Sequence, residues 1–202
     1  LGFSASADAL DPKWATGIKP LSGGATGGGA LKFDGKDDYV NCGDINAIDG
    51  ATKITIENWA KWGGDINGSI WHWYNQIKGA VYGLENGYSG DSLHKISFTF
   101  YDGATWYSAG SITNIDDGKW HHIVGVYDGA YVRIYIDGVQ ENFNNVGAKT
   151  FNSTANSVFL GSNGGTSAFW KGIIDDVRVY NYARTQEQIM QDYNAGLSTH
   201  FK

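Results

Sequence analysis

Short runs of alternating hydrophobic and polar residues recur along this chain, separated by glycine-bearing turns. Ile96-Ser97-Phe98-Thr99-Phe100 alternates strictly, then turns at Asp102-Gly103 into Thr105-Trp106-Tyr107-Ser108. His122 to Tyr127 turns at Asp128-Gly129 into Tyr131 to Ile136, which turns again at Asp137-Gly138. Successive side chains of a strand point to opposite faces, so a period of two predicts strands. Asp-Gly supplies the positive φ angles of a type I′ turn, and these three turns predict tight hairpins. Upstream, Leu31 and Phe33 share a face before Asp34-Gly35, and Tyr39 to Cys42 continues as a strand. Ile54 to Ala60 places Ile54 and Ile56 on one face and Trp59 on the other, which predicts a strand covered on both sides with Glu57 in need of a partner. Ser69 to Tyr74, Ala80 to Leu84, Ser157 to Leu160 and Val177 to Tyr180 complete the predicted strands. One helix is predicted at the end, over 185–195. Thr185-Gln186-Glu187-Gln188 has capping-box spacing, Ile189 and Tyr193 share a face, and Asn194 and Gly196 offer a stop. The expectation is an all-β fold, a two-sheet antiparallel sandwich with one short C-terminal helix.

Residues 1–28 are glycine-rich and weakly patterned and read as an extended lead-in to a single domain over 1–202. Gly is abundant at 29 residues and Pro scarce at 2, which suits many tight turns. Aromatic residues make up 14% of the chain, with 8 Trp and 12 Tyr, more amphipathic rings than a core readily absorbs; some are expected at the surface. The formal charge is −6 and no Lys/Arg cluster occurs, which argues against a nucleic-acid binder. Cys42 is the single cysteine, so an intramolecular disulfide and multi-Cys zinc patterns are excluded. No apolar run reaches the ~18 residues of a membrane helix, so no membrane insertion is expected. Leu1 to Leu10 lacks the basic start of a signal peptide, which leaves a removed segment or a module of a longer protein.

Five stretches in series carry a family likeness: Gly29 to Val40, the strand ending in Trp59, Asp117 to Ile123, Arg133 to Gly138, and Ile174 to Arg184. In this order, over roughly residues 29 to 195, the chain resembles the LamG-like (concanavalin A-like lectin/glucanase) jelly-roll family. The resemblance implies a jelly roll and a non-catalytic carbohydrate-binding role, with a polysaccharide or glycan as partner. It also implies a secreted or cell-surface setting and attachment to a larger enzyme or surface protein. Two alternatives stay open: a polysaccharide lyase or glycoside hydrolase of the same clan, and an adhesion or protein–protein interaction domain. The resemblance further implies a structural calcium (Ca2+) joining the first strand to the last, with Asp175 as ligand and Asp34 contributing from its turn. Asp176 is expected on the opposite face, and Asp37, Asp38, Asp116 and Asp117 read as turn residues.

The Glu-x-Asp-x-x-Glu signature of the clan's hydrolases is absent from every predicted strand. His72, Tyr74, Gln76 and Arg133 keep a lyase arrangement in view. His121 and His122 are adjacent on a strand, point to opposite faces and are not expected to share an ion. Sugar rings stack their C–H faces on indole or phenol rings while their hydroxyls need amide and carboxyl partners. The candidates for such stacking are Trp71 and Trp73, two residues apart on one strand face, with Tyr82, Trp106, Tyr107 and Trp170. Trp59 and Trp120 are expected in the core.

Overall fold

The computed structural model describes residues 4–5, 13–14, 29–63, 74–79, 81–86 and 95–200. Strands are numbered in chain order. One seven-stranded sheet runs β1 (Ser4–Ala5), β4 (Val40–Asn41), β13 (Val158–Leu160), β6 (Tyr74–Lys78), β7 (Tyr82–Asn86), β8 (Ile96–Tyr101), β9 (Trp106–Gly110). The other runs β12 (Val139–Asn145), β11 (Tyr131–Ile136), β10 (Trp120–Tyr127), β5 (Ile54–Trp62), β14 (Lys171–Tyr180), β3 (Leu31–Asp34), β2 (Lys13–Trp14). Every pairing is antiparallel. The expected antiparallel jelly-roll sandwich with one helix is what the chain forms.

The inner faces carry the alternating apolar residues. Phe98 and Phe100 of β8, Leu84 and Tyr82 of β7, and Ile123, Val132, Ile134 and Ile136 of the facing sheet form one buried cluster. The sheets meet closely at Gly125, where a Cβ would lie 2.4 Å from Phe98 Cγ. A side chain at 125 would push Phe98 out of its place.

The second sheet is apolar on its outer face as well, and helix α1 (Gln186–His200) covers it. The helix starts at a reciprocal capping box: Gln188 N donates to Thr185 Oγ1 at 3.3 Å and Thr185 N to Gln188 Oε1 at 3.0 Å. It runs past 195, so Asn194 and Gly196 do not stop it. Gly196 serves close approach instead, since its Cβ would fall 2.4 Å from the Trp59 indole nitrogen. Trp59 and Trp120 are buried there as expected, with the His200 ring stacked on Trp59 at 4.3 Å and 7°. Glu57, fully buried, accepts from Arg178 Nη1 at 2.8 Å and Tyr180 Oη at 3.2 Å. Burial pushes its pKa up, and the Arg178 hydrogen bond opposes that shift.

Of the three Asp-Gly turns, only Asp137-Gly138 has positive φ at both residues, 53° and 78°, as a type I′ turn requires. The other two are wider and alike. Asp102 Oδ1 accepts from Ala104 N and Thr105 N at 2.9 and 2.8 Å, and Asp128 Oδ1 from Ala130 N and Tyr131 N at the same two distances. The carboxylate takes the amides of the tip, so Asp itself avoids the left-handed region and only the following Gly enters it. Strand β12 was not legible as a strand because it is an edge: both its faces are largely exposed and its sequence is polar. Its Asn142 and Asn144 amides donate to the Gly110 and Ser108 carbonyls of β9, joining the two sheets along one side.

His121, on the inner face, lies between two carboxylates, Asp137 Oδ2 at 2.9 Å from Nδ1 and Asp117 Oδ1 at 3.1 Å from Nε2. His122 faces the helix side, close to Trp59. Burial pulls the His121 pKa down, but both carboxylates outweigh it and hold it above 6.5. Burial pushes the Asp117 pKa up, and hydrogen bonds from Lys119 and His121 bring it down to about 2.

Two predictions come from this packing. Gly125→Ala should lower the unfolding free energy by about 1–3 kcal/mol in urea titration, as overpacking does; a loss within experimental error would show that Phe98 has room to move. The His121 contribution is present below its ordinary pKa and fades as pH rises through the raised one, whereas the Asp117 contribution is present above 3.8 and fades as pH falls towards 2. The stability difference between wild type and His121→Asn should therefore be largest between about pH 4 and 6.5. A difference that does not vary with pH would mean that the contacts are not ionic.

Candidate functional site

Alternation along β8 and β9 decides which aromatic rings reach solvent. Phe98, Phe100, Tyr107 and Ala109 point inward or pack against the core, so Ser97, Thr99, Tyr101, Trp106 and Ser108 point outward. Tyr101 and Trp106 face each other across the hairpin. Their ring centroids are 5.1 Å apart at 32°, and Trp106 is 37% exposed. Trp59, Trp62, Trp120 and Trp170 are buried. Tyr101 Oη donates to Gly103 O at 2.9 Å, which holds its ring against the hairpin tip.

A polar row continues from this pair along the same outer face. Thr99 stands beside Ser108, and Ser97 beside Gly110 and Glu85. Thr99 Oγ1 donates to Glu85 Oε1 at 2.7 Å, and Glu85, Ser97 and Thr99 are all buried. The row therefore opens to solvent at its aromatic end.

Tyr107 is not a stacking surface. Phe100 lies 5.2 Å from its ring, the Lys149 ammonium sits over the ring at 5.0 Å, and its hydroxyl donates to Asp102 Oδ2 at 3.1 Å. Tyr82 and Trp170, expected as stacking surfaces, are buried instead, at 0% and 1% exposure. Tyr82 lies opposite Phe100 in the inter-sheet cluster, and Trp170 packs edge-on against Trp62 at 5.0 Å. Both rings point between the sheets, where the core fills the space a ligand would need. Trp71 and Trp73 lie outside the described residues.

Asp34 and Asp175 do not form one metal site. Antiparallel pairing sets Lys171 opposite Asp34 and Ile174 opposite Leu31, which puts Asp175 four residues further on, about 13 Å along the strand at ~3.3 Å per residue. Calcium holds its oxygens at about 2.3–2.6 Å, so these two carboxylates cannot share an ion. Each has its own neighbours. Asp34 groups with Asp37 and Asp38, and Asp175 with Asp176 and His200, the ligand atoms of each trio lying within 4.8 Å of one another. Asp38 Oδ2 accepts from Asp34 N and Asp34 Oδ1 from Lys36 N, both at 2.8 Å, so the first trio also builds its turn.

Asp176 does not point to the opposite face. A bulge between Asp175 and Arg178 places it at φ 48°, which brings it to the same side. Burial and the neighbouring Asp175 charge push the Asp176 pKa up. His200 Nδ1 donates to Gly196 O at 2.9 Å and Nε2 lies 3.2 Å from Asp175 Oδ2, so Asp175 meets the last turn of the helix. An imidazole in this trio is unlike the oxygen-only shell of calcium.

Tyr101, Asp102 and Lys149 were not singled out from the sequence. Tyr101 was within reach, since counting back across a four-residue tip pairs it with Trp106. Lys149 carried no local signal because its partners, Asp102 and Tyr107, are distant in sequence.

Among the described residues no helix is long and apolar enough to cross a membrane. A search of curated proteins gives no match to this sequence. Among solved structures, the chain is similar to the botulinum neurotoxin serotype G binding domain, with a TM-score of 0.71 and 14% identity over 98% of this chain and 47% of that one. It is also similar to the binding domain of Paraclostridial Mosquitocidal Protein 1, at 0.67 and 11% over 94% and 48%. The chain thus spans about half the length of these two binding domains. Domain 4 of AbnA, an extracellular arabinanase from Geobacillus stearothermophilus solved in complex with arabinotriose, is matched at 0.63 and 20% over 94% of this chain and 86% of that one. At these identities the likeness is one of fold. The profile described as concanavalin A-like lectin/glucanases superfamily matches residues 34–190, and this chain belongs to that superfamily.

Proposed function

We propose that this protein is a non-catalytic carbohydrate-binding module that holds a glycan on the Trp106–Tyr101 surface. One observation carries the reading: a tryptophan 37% exposed, braced by a tyrosine ring, on the outer face of a sheet whose inner face is fully packed. An indole left open at the surface and braced at 32° by a tyrosine ring offers an aromatic face to the C–H groups of a sugar. The sugar-bound arabinanase domain, similar in fold, supports a glycan rather than a protein as ligand. A secreted or cell-surface setting, as part of a larger protein, belongs to the same proposal. A shallow site of this kind is weak by itself and gains strength through multivalency or tethering to an enzyme.

The calcium ion implied by the sequence resemblance also stays a proposal, with Asp34 and Asp175 tested separately. If an ion is bound, calcium raises the melting temperature over chelator, and either Asp34→Asn or Asp175→Asn removes that rise. An identical melting temperature in calcium and chelator takes the ion out of the proposal.

Binding is tested by tryptophan fluorescence and calorimetry with a panel of neutral oligosaccharides, arabinotriose among them. Trp106→Ala should weaken the best ligand about tenfold, the scale of a central aromatic contact. Unchanged affinity would move the site elsewhere. Release of reducing ends or unsaturated products would replace the binding role with an enzymatic one.

A further inference from the structure

The two wide hairpin tips flank a shallow, open cleft. Its volume is about 360 Å3, and Thr52, Asp102, Gly129, Ala148, Lys149 and Thr150 line it. That is at the small end of the range for ligand pockets, about 300–1,000 Å3. Asp102 follows Tyr101 directly, so the cleft and the aromatic pair share one turn.

The chemistry inside the cleft is fixed in place. Asp102 spends Oδ1 on the two amides of its tip and turns Oδ2 towards Tyr107 Oη at 3.1 Å. Lys149 Nζ stands 3.9 Å from that same oxygen and 5.0 Å from the Tyr107 ring centre. The Lys149 backbone is tied down as well, its N–H donating to Tyr127 Oη at 2.6 Å. A separation of 3.9 Å is too long for a direct hydrogen bond, and a ligand oxygen beside the pair can lie about 2.8 Å from both atoms. The equivalent tip differs here: Asp128 Oδ2 meets Arg133 directly and offers no such gap.

The wall opposite is low because residue 129 is glycine at φ 100°; a Cβ there would meet Lys53 Cε at 3.5 Å and Thr52 O at 3.6 Å. Hydrogen bonds from its own tip hold the Asp102 pKa down, and Tyr107 and Asp102 hold that of Lys149 up, so both charges persist around neutral pH.

We propose that this cleft is a second subsite, next to the Trp106–Tyr101 surface, which reads a hydroxyl of a neutral sugar by giving from Lys149 and taking at Asp102. A hydroxyl can do both at once, accepting from an ammonium while donating to a carboxylate. Asp102 and the chain's net charge of −6 select against uronates and sulfated sugars. The subsite rests on the glycan reading above, and its test separates the two.

The probes are neutral oligosaccharides of increasing length and an oligogalacturonate, titrated calorimetrically into the whole chain and into Lys149→Met, Asp102→Asn and Trp106→Ala. Met keeps the Lys149 stem over Tyr107, and Asn keeps the Oδ1 acceptor that holds the tip. Lys149→Met and Asp102→Asn should each weaken the longer neutral ligands at least fivefold and leave the shortest binding ligand unchanged, while Trp106→Ala weakens both. Affinity for neutral ligands should hardly change when salt is raised. Should Asp102→Asn lose its fold by circular dichroism, Lys149→Met decides. Wild-type affinity in Lys149→Met, with loss only in Trp106→Ala, overturns the subsite and leaves the glycan site standing. Preference for the oligogalacturonate overturns the neutral class. No binding of any neutral ligand by the wild type ends both proposals.

Discussion

Phe98 fits against Gly125, and that close approach between the sheets sets the sidedness of β8 and β9. Once Phe98 points inward, alternation sends Phe100 and, across the ladder, Ala109 and Tyr107 the same way. Tyr101 and Trp106 must then face outward. A register slip of one residue would bury Trp106 and expose Tyr107, so the aromatic surface depends on a contact in the middle of the core. The exposed ring is a consequence of the packing rather than a local feature of its hairpin.

The second sheet meets a different constraint. Its central strands are apolar on both faces, and helix α1 takes the place that a third layer would otherwise fill. Close seating requires a residue without a side chain over Trp59, which Gly196 supplies. It also requires that Glu57, buried beneath the helix, find donors, and the Arg178 guanidinium and the Tyr180 hydroxyl reach it from the last strand. Buried ion pairs contribute little net stability because desolvation offsets attraction, but removing one partner is costly. Arg178 and Glu57 thereby pin β14 to β5 in one register, and the Asp176 bulge sits inside that pinned stretch.

The cleft lies where elements far apart in sequence converge. The Asp102 tip and the 146–151 loop meet because Asn152 N donates to Tyr101 O and Tyr127 Oη to the Gly147 carbonyl. Loops placed by a rigid sandwich can hold opposite charges at a set distance, which a flexible peptide of the same sequence cannot do. Arg133 on Asp128 and Lys149 near Asp102 show how one tip motif serves two ends: a closed ion pair in the first case, an open one in the second.

The sequence by itself determined the alternation, the turns, the capping box and hence the sandwich, because each is a short-range matter of which side chain follows which. It also marked Trp106 as a candidate surface ring and Glu57 as a residue that needed a partner. Tertiary structure alone decided that Tyr82 and Trp170 are core, that Tyr107 is covered by Phe100 and Lys149, and that Asp34 and Asp175 stand apart. The reason lies outside each local stretch: a strand residue shows two faces, and only the partner sheet, the strand register and the covering loops say which face is occupied. Two of the Asp-Gly turns widened for a local reason, the carboxylate taking the tip amides, yet only the fold brought both tips to one cleft.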